Sequence, residues 1–331
     1  MVQAGEQALA WARAERASLL ACLDHATATG QYARVTALTA ALAGLLRLDG
    51  PWAEAITRHQ TAIQAARHLD DRRGLANALT DLGDVRRLTG DYPAAAQALE
   101  QALDIYRDLG DRLGQANALT ELGAVRQATG DYPAAAHDLE QAIDIYRDLG
   151  SRSGQANALG WLGIVQRLTG DYPAAAQAEE QTLAIFHDLG NRRGQANALA
   201  NLGDVRRLTG DYPAAAQALE QALDIYRDLG DRGGEVTALN KRGTLHRVSG
   251  DLAQAEGCHQ QALDLARAIA ASWGEAHALA GLGRCALAAG HAAQARALLC
   301  QALQIFQRIG AAETPDLLAE LDTLTSPKPA R

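Results

Sequence analysis

The chain contains the stretch Leu88-Thr-Gly-Asp-Tyr-Pro-Ala-Ala-Ala-Gln-Ala98 and repeats it, unchanged, from Leu208 to Ala218. Close variants begin at Ala128 and Leu168, which fixes a period of 40 residues. Glycines keep the same spacing along nearly the whole chain, at Gly50, Gly90, Gly130, Gly170, Gly210, Gly250 and Gly290. A period of this length is typical of solenoids, in which each unit packs mainly against its neighbours. We therefore expect the function to lie on an extended surface rather than in a pocket.

Composition and charge narrow the class of protein. A net charge of −8 counts against nucleic acid or an anionic membrane as the main partner, because both favour a basic surface. The sequence has no apolar run long enough for a membrane span, and residues 1–6 lack the pattern of a signal peptide. Four cysteines without paired spacing, at Cys22, Cys258, Cys285 and Cys300, fit reduced thiols. The sequence predicts a soluble cytoplasmic protein with no membrane partner.

Each unit is predicted to begin with an amphipathic helix. In the unit 74–113, Leu79, Leu82 and Val85 recur at helical spacing and form one apolar stripe. Gly90 follows, and glycine readily takes the left-handed conformation that ends a helix. The first helix is therefore expected to stop at this glycine.

A second helix is predicted to follow at once. Asp91 has the side chain of an N-cap, and Pro93 is tolerated in a first helical turn. Gly110 then marks the end of this helix. Its apolar residues again recur every three or four positions, at Ala95, Leu99, Ala102, Leu103 and Tyr106. Each unit is thus predicted to be a helical hairpin.

This pattern resembles the tetratricopeptide repeat, in which small residues let two helices pack closely. The residues that carry the resemblance are Leu79, Leu82-Gly83, Gly90-Asp91-Tyr92, Ala95, Leu99 and Ala102. It extends from Arg34 to about Ala311. The resemblance implies an all-α protein, a right-handed α-solenoid superhelix of about seven helix-turn-helix units, with a concave groove that binds partners.

The unit departs from the common form of this repeat in two ways. It is six residues longer and lacks the terminal proline, and arginines stand where the family usually has an aromatic residue, at Arg86, Arg126 and Arg206. The longer unit is similar to the repeats of kinesin light chain and of spindle-orientation adaptors of the Pins/LGN type. Both bind extended peptides in the inner groove.

The repeats suggest the organisation of the chain. An N-terminal helix or cap covers residues 1–33, with one long helix over 5–29, and the array covers 34–311. Its units are 34–73, 74–113, 114–153, 154–193, 194–233, 234–273 and 274–311. A capping helix is predicted over 312–325, because Thr314 and Pro315 suit a helix start, and 326–331 is expected to be a flexible tail.

The segment Trp11 to Leu20 carries a second resemblance. It is similar to the stretch that follows the nucleotide-binding and winged-helix domains in actinobacterial NB-ARC (STAND) regulators with repeat sensors. Ser18 departs from the asparagine expected there. The resemblance implies a sensor half of such a regulator or a free-standing relative, with an NB-ARC ATPase domain as a partner in cis or in trans.

The repeat copies differ most along one line of the first helices. The units 74–113 and 194–233 differ at four positions, two of them adjacent, Thr80-Asp81 against Ala200-Asn201. Helical spacing places these positions, with the asparagines one turn earlier, on the face that lines the groove in this repeat family. An asparagine row there pairs with a peptide backbone while varied positions read its side chains. The predicted groove residues are Asn77, Asp81, Asp84, Asn117, Glu121, Asn157, Trp161, Ile164, Asn197, Asn201, Asp204, Asn240, Lys241 and Arg284.

Two interpretations of this divergence stay open. Exposed positions drift after recent duplication, and asparagines also cap or bridge helices. Against drift, exposed positions of the second helix have not changed, at Gln101, Gln141, Gln181 and Gln221. Trp161 is the candidate anchor, because tryptophan is enriched in binding hot spots; the alternative is an indole packed over Gly160.

The sequence offers no catalytic or metal motif. It has no phosphate-binding loop, and the histidines and cysteines at His246, Cys258, His259, His277 and Cys285 lack zinc-site spacing. The pairs Asp84 with Arg87 and Asp204 with Arg207 are predicted to be surface ion pairs. Arg242 stands at the repeat position of Leu82. Either its side chain extends so that the charge reaches solvent, or it marks a local break in the groove. We therefore predict no cofactor, no metal and no enzyme activity.

Two classes of function remain. The first is a non-catalytic module that binds a protein or peptide along the groove, as the sensor or scaffold part of a signalling or transcription regulator. The second is a regulator whose array senses a small molecule or nucleic acid directly. The acidic net charge counts against nucleic acid.

Overall fold

The computed structural model describes residues 11, 14–49, 52–309, 311 and 313–325. They form sixteen α-helices and no strand, which confirms the all-α prediction. The helices are α1 Arg16–Ala28, α2 Tyr32–Asp49, α3 Trp52–His68, α4 Arg72–Thr89, α5 Tyr92–Asp108, α6 Arg112–Ala128, α7 Tyr132–Asp148, α8 Arg152–Leu168, α9 Tyr172–Asp188, α10 Arg192–Leu208, α11 Tyr212–Asp228, α12 Arg232–Val248, α13 Leu252–Ala268, α14 Ser272–Ala288, α15 Ala292–Ile309 and α16 Thr314–Thr325.

The repeated part consists of helix pairs. We call the first helix of each pair an A helix (α2, α4, α6, α8, α10, α12, α14) and the second a B helix (α3, α5, α7, α9, α11, α13, α15). Within each body, the principal packing partner of a helix is the next helix, and A helices also contact the next A helix, as α2 does α4 and α10 does α12. The chain divides into two compact bodies, one up to Trp161 and one from Leu162 onward. The right-handed superhelix stays a prediction.

The predicted helix boundaries have the expected chemistry. The Asp91 side chain accepts from the Ala94 backbone N–H at 3.4 Å and caps α5. Gly90 ends α4 with a left-handed φ of 83°, and its N–H donates to the Arg87 carbonyl. The sequence Gly-Asp-Tyr-Pro thus ends one helix and starts the next.

The core is built from the predicted stripes. Leu79, Leu82 and Val85 of α4 are buried, as are all five apolar residues expected on α5. The A and B helices of a pair cross at a glycine: a Cβ atom added to Gly83 would lie 2.6 Å from Cγ of Leu99. Close packing at this crossing therefore requires glycine.

The two ends of the array are only partly described. At the N-terminus α1 packs on α2 through Leu23 and Ala26, while residues 1–10, 12 and 13 of the predicted N-terminal region lie outside the described residues. At the C-terminus α16 packs on α15 and buries Leu317 and Leu321. The predicted tail, 326–331, also lies outside the described residues. Within the described ranges no helix is both long and apolar enough to cross a membrane.

Candidate functional site

The candidate residues lie mainly on one side of the A helices. Asparagines at Asn77, Asn117, Asn157 and Asn197 are exposed, and the varied residues one turn later, Asp81, Glu121, Trp161, Asn201 and Lys241, are half-buried. Residues at this spacing share one side of a helix. We call this side the A face.

The asparagines of the A face already use their oxygen atoms within the unit. The Tyr106 hydroxyl donates to Oδ1 of Asn77 at 2.7 Å. Tyr146 donates to Asn117 in the same way, at 2.7 Å. A third pair, Tyr226 with Asn197, lies in the second body at 2.6 Å. In these three asparagines the tyrosine hydroxyl thus uses one of the two acceptor positions of the carboxamide oxygen.

A charged and aromatic cluster occupies the A face of the first body. Arg87 pairs with Asp84 at 2.6 Å and with Glu121, on the next A helix, at 3.2 Å. Burial favours the neutral form of Arg87, but the carboxylates of Glu121 and Asp84 outweigh it and raise its pKa. The predicted Asp84–Arg87 pair is present, yet its side chains are only 13% and 16% exposed, so it is not a surface pair.

Trp161 lies at the same cluster. The guanidinium carbon of Arg87 sits 5.5 Å from the centre of the indole ring, within the range of a cation–π contact. The indole is half-buried. A partner that contacts Trp161 would therefore contact an indole ring that already packs against the Arg87 guanidinium. Ile164, one turn later on α8 and in the second body, is also half-buried.

Lys241 and Glu179 form the centre of a polar cluster in the second body. The Lys241 ammonium donates to Oδ1 of Asn201 at 2.7 Å. Glu179 of α9 is 1% exposed, and neither of its carboxylate oxygens has a hydrogen-bond partner among the described residues. Burial raises the pKa of Glu179 to about 8, against the opposing charges of Lys241 and Arg167. Burial also lowers the pKa of Lys241 to about 8.

Two predicted groove residues of the second body are buried. Asp204 pairs with Arg207 at 2.7 Å and with Arg167 at 3.3 Å. Burial favours its neutral form, but Lys241 and these arginines outweigh burial and lower the pKa of Asp204. Asn240 donates to the Gly274 carbonyl at 3.1 Å. The expectation that Asp204 and Asn240 contact a partner directly is therefore corrected, because both side chains are engaged inside the protein.

Arg284 and the histidine two turns earlier contact α16. Arg284 makes paired bonds of 2.8 and 3.1 Å to Oε2 and Oε1 of Glu320. His277 lies 3.2 Å from the carboxylate of Glu313. The predicted groove residue Arg284 is thus bound by the C-terminal helix of the same chain, and charge-assisted paired bonds of this kind are strong.

One set of functional candidates was missed in the sequence. The B-helix position equivalent to Leu99, which faces the crossing glycine in all units but the first, where Ala43 takes its place, holds leucine in four units and a titratable residue in three. The leucines are Leu99, Leu139, Leu219 and Leu299, and the titratable residues are His59, Glu179 and His259. All three are at most 1% exposed. Comparison of this position across the copies reveals them, since an ionisable side chain there breaks a row of leucines.

The buried His259 is expected to make the second body sensitive to acid. Burial, with the nearby charges of Arg247, Arg284 and His277, lowers the pKa of His259 to about 4. The unfolded chain binds a proton near pH 6.5 and the folded chain does not, so the free energy of unfolding falls as the pH falls from 6.5 to 4.

His259→Leu should remove this fall, a difference of up to roughly 3 kcal/mol between pH 7 and pH 4. The measurement is urea unfolding followed by circular dichroism at several pH values. Parallel pH profiles for the two proteins would contradict the assignment. A pH-independent loss of stability in addition to the changed slope would not contradict it, because Oδ1 of Asn240 accepts a hydrogen bond from Nδ1 of His259 at 3.2 Å and loses this partner in the variant.

Among the described residues, no group of three or more histidines, cysteines or acids is placed to hold a metal. Arg242 does not interrupt α12, and its guanidinium lies beside the Cys258 thiol, opposing the rise in pKa that burial gives this thiol.

Comparisons with known proteins agree with the repeated helix pairs. A family model of the tetratricopeptide repeat matches residues 33–108, 114–188, 155–228 and 235–308. No curated protein matches the chain.

Three solved structures are similar in fold. Aspartyl phosphate phosphatase F from Bacillus subtilis is 12% identical with a TM-score of 0.68, over 86% of this chain and 73% of that one. The Rap conjugation gene regulator of plasmid pLS20, in complex with the Phr* peptide, is 14% identical with a TM-score of 0.67, over 83% and 74%. BtubC from P. vanneervenii is 21% identical with a TM-score of 0.54, over 67% and 93%.

Proposed function

Because this chain belongs to the tetratricopeptide repeat family, we propose that it is a non-catalytic module that binds a peptide or partner segment along the A face. One neighbour in fold is solved with a peptide bound, which supports the proposal by analogy. Another neighbour in fold is called a phosphatase.

The observation that carries the proposal is the divergence of the copies on the A face. Five successive units place an acid, an acid, an indole, an amide and an amine at one half-buried position, Asp81, Glu121, Trp161, Asn201 and Lys241. The outward position on the B helices, in contrast, is glutamine in all five of these units, at Gln101, Gln141, Gln181, Gln221 and Gln261. A surface that differs from unit to unit reads different parts of an extended ligand, and exposed amide N–H groups beside it suit a peptide backbone.

The role within a larger system follows from the resemblance of the N-terminal segment. We propose that the module acts as the cytoplasmic sensor or scaffold of a regulator, with an NB-ARC type ATPase domain in cis or in trans. The proposed NB-ARC partner is tested by a pull-down assay in which purified NB-ARC domains are incubated with the chain. Absence of binding with and without nucleotide would remove it while leaving the peptide-binding proposal intact.

Trp161→Ala is expected to weaken peptide binding at least tenfold, as loss of an aromatic anchor typically costs about 2 kcal/mol. Peptides are first selected from a random dodecamer display library on the full chain, and their affinities are then measured by calorimetry. The matched control is Gln101→Ala, on the outer side of α5 in the same body, which should leave affinity unchanged. Failure to select any binding peptide, or equal losses for both variants, would contradict the proposal.

A further inference from the structure

A groove lies between two neighbouring B helices of the second body. It is bounded by α9 and α11, has a volume of about 720 Å³, and has buried leucines of α10 at its floor. The α10 residues that line it are Gln195, Leu199, Leu202 and Arg206. Helical spacing places them on the side of α10 opposite Asn197, Asn201 and Asp204. The groove is therefore separate from the A face, and we call it the outer groove.

The copy that forms one wall of the outer groove has lost a surface ion pair. In the first body an aspartate on the B helix pairs with the arginine three residues later, as Asp144 does with Arg147 at 2.8 Å. On α9 the corresponding residues are Ala184 and His187. A short apolar side chain thus stands where other copies have a charged one.

The aliphatic residue before Ala184 is exposed to an unusual degree. Where an aspartate follows, this residue is at most 5% exposed, at Leu103, Ile143, Leu223 and Leu263. Leu183 is only half-buried, as is Ile225 on the opposite wall. Covering such aliphatic surface is favourable in proportion to its area. The groove therefore offers an apolar ligand free energy that the corresponding surfaces of other copies do not.

The outer groove carries one carboxylate with no internal counter-charge. Its acidic lining residues are Glu180, Asp188 and Asp224. Glu180 lies 3.9 Å from Arg206, and Asp188 lies 3.9 Å from His187. Asp224 has no ion pair within 4.0 Å among the described residues, and the arginine three residues after it, Arg227, binds Glu235 instead at 2.9 Å. Asp224 therefore favours a cationic ligand.

The dimensions of the outer groove fit a small molecule. Its lining residues on α9 run from Glu180 to Asp188, which is about 12 Å at the rise of an α-helix. Charged side chains stand at both of these ends, and Asp224 holds the repeat position midway between them. Small-molecule sites have volumes of roughly 300–1,000 Å³, with mainly apolar walls and a few polar groups. A longer partner, such as a helix, would have to pass over the charged ends.

We propose that the outer groove binds a small organic amine, with its apolar body against Leu183 and Ile225 and its ammonium group beside Asp224. Burial of the apolar body supplies most of the affinity, and the carboxylate selects the positive charge. This inference goes beyond the proposed function, because the site lies on the other side of α10 and takes a ligand of a different class. Neither proposal depends on the other.

Three octyl compounds test the class of ligand, because they share one apolar body and differ in charge. They are octylamine, octan-1-ol and octanoate, each used below the concentration at which it forms micelles. Affinities for the full chain are measured by saturation-transfer NMR titration. We expect octylamine to bind at least about threefold more tightly than octan-1-ol and at least about tenfold more tightly than octanoate, because an exposed carboxylate attracts the first and repels the last.

Two variants test the location of the site. Ala184→Asp combined with His187→Arg restores the pair that Asp144 and Arg147 form and leaves the net charge unchanged. Octylamine binding should then fall at least about tenfold, because the apolar wall is lost. Asp224→Asn should reduce octylamine binding about threefold and leave octan-1-ol binding unchanged. The matched control is Asp144→Asn, at the same repeat position on α7, which should alter neither affinity. Circular dichroism checks that each variant is folded.

The outcomes distinguish an amine site from other occupants. Equal affinities for the three octyl compounds, or octylamine binding that both variants leave intact, would overturn the inference. A helical dodecapeptide of leucine and lysine that binds through Asp224 where octylamine does not bind would overturn it in favour of a partner helix. Trp161→Ala should leave octylamine binding unchanged, so a loss in that variant equal to the loss in Asp224→Asn would contradict a separate site. Failure of peptide binding on the A face affects the proposed function alone.

Discussion

Replacing Glu179 by leucine is expected to stabilise the second body increasingly as the pH rises. Glu179 is buried and its pKa is raised to about 8, so the folded chain keeps a proton that the unfolded chain loses near pH 4.5. The free energy of unfolding of the natural protein therefore falls between pH 4.5 and pH 8, at about 1.4 kcal/mol per pH unit. Leucine occupies the same position in four other units and contributes no such fall.

Urea unfolding at pH 5, 6.5 and 8 measures the effect. The natural protein and Glu179→Leu should diverge by roughly 4 kcal/mol across this range, with the variant the more stable at pH 8. Lys241 is charged in both states over most of this range and contributes little slope. Glu179→Gln is the control for side-chain shape. This variant should also lose the pH dependence of the free energy of unfolding, but it buries an amide that still needs a hydrogen-bond partner. A variant with the slope of the natural protein would show that Glu179 is ionised in the fold.

Replacing Gly203 by leucine is expected to destabilise the α10–α11 pair by at least about 3 kcal/mol, because overpacking of a close helix crossing strains side chains and backbone together. An added Cβ atom alone would lie 2.8 Å from Cγ of Leu219 and 3.2 Å from the Ala215 carbonyl oxygen. The rest of the leucine has no space at this crossing. Since an array is stabilised by interfaces between neighbours, the loss should be concentrated at this pair.

Native-state hydrogen exchange of the variant locates the loss. We expect amides of α10 and α11 to exchange faster than those of α14 and α15, because distant pairs do not share the strained interface. The matched control is Gly257→Ala on α13, where no atom lies within 4 Å of the added Cβ, and there helix propensity should stabilise by up to about 1 kcal/mol. Uniformly faster exchange in every helix would contradict the local nature of the effect.

The helices could be predicted from the sequence because their boundaries are set locally. Gly90, Asp91 and Pro93 act through backbone conformation and a capping bond three residues away, and neither depends on distant contacts. The apolar stripe of α5 was equally predictable, since helical spacing alone selects its face. The pairing of Tyr106 with Asn77 was not predicted, because the tyrosine was read only as a core residue.

The candidate site depends on residues from several units, so it could be predicted only in part. Asp84 and Asp204 share a repeat position, but their surroundings differ, because Asp84 pairs with Arg87 of its own helix whereas Asp204 pairs with both Arg207 and Arg167. Arg87 reaches Trp161, 74 positions later in the chain, and no local pattern indicates that contact. Comparison of the repeat copies position by position, in contrast, is sufficient to identify Glu179, because it stands where other copies have leucine.

Packing between helices that are near in sequence also bears on how the chain folds. Few long loops have to close, and the protein therefore has a low contact order, which is typical of fast folding. During synthesis each new helix pair meets a template that has already left the ribosome, and it can fold onto that template without waiting for the C-terminus. Lys241 then arrives at an Asn201 already in place. The order of synthesis favours the correct pairing of units whose sequences are otherwise nearly interchangeable.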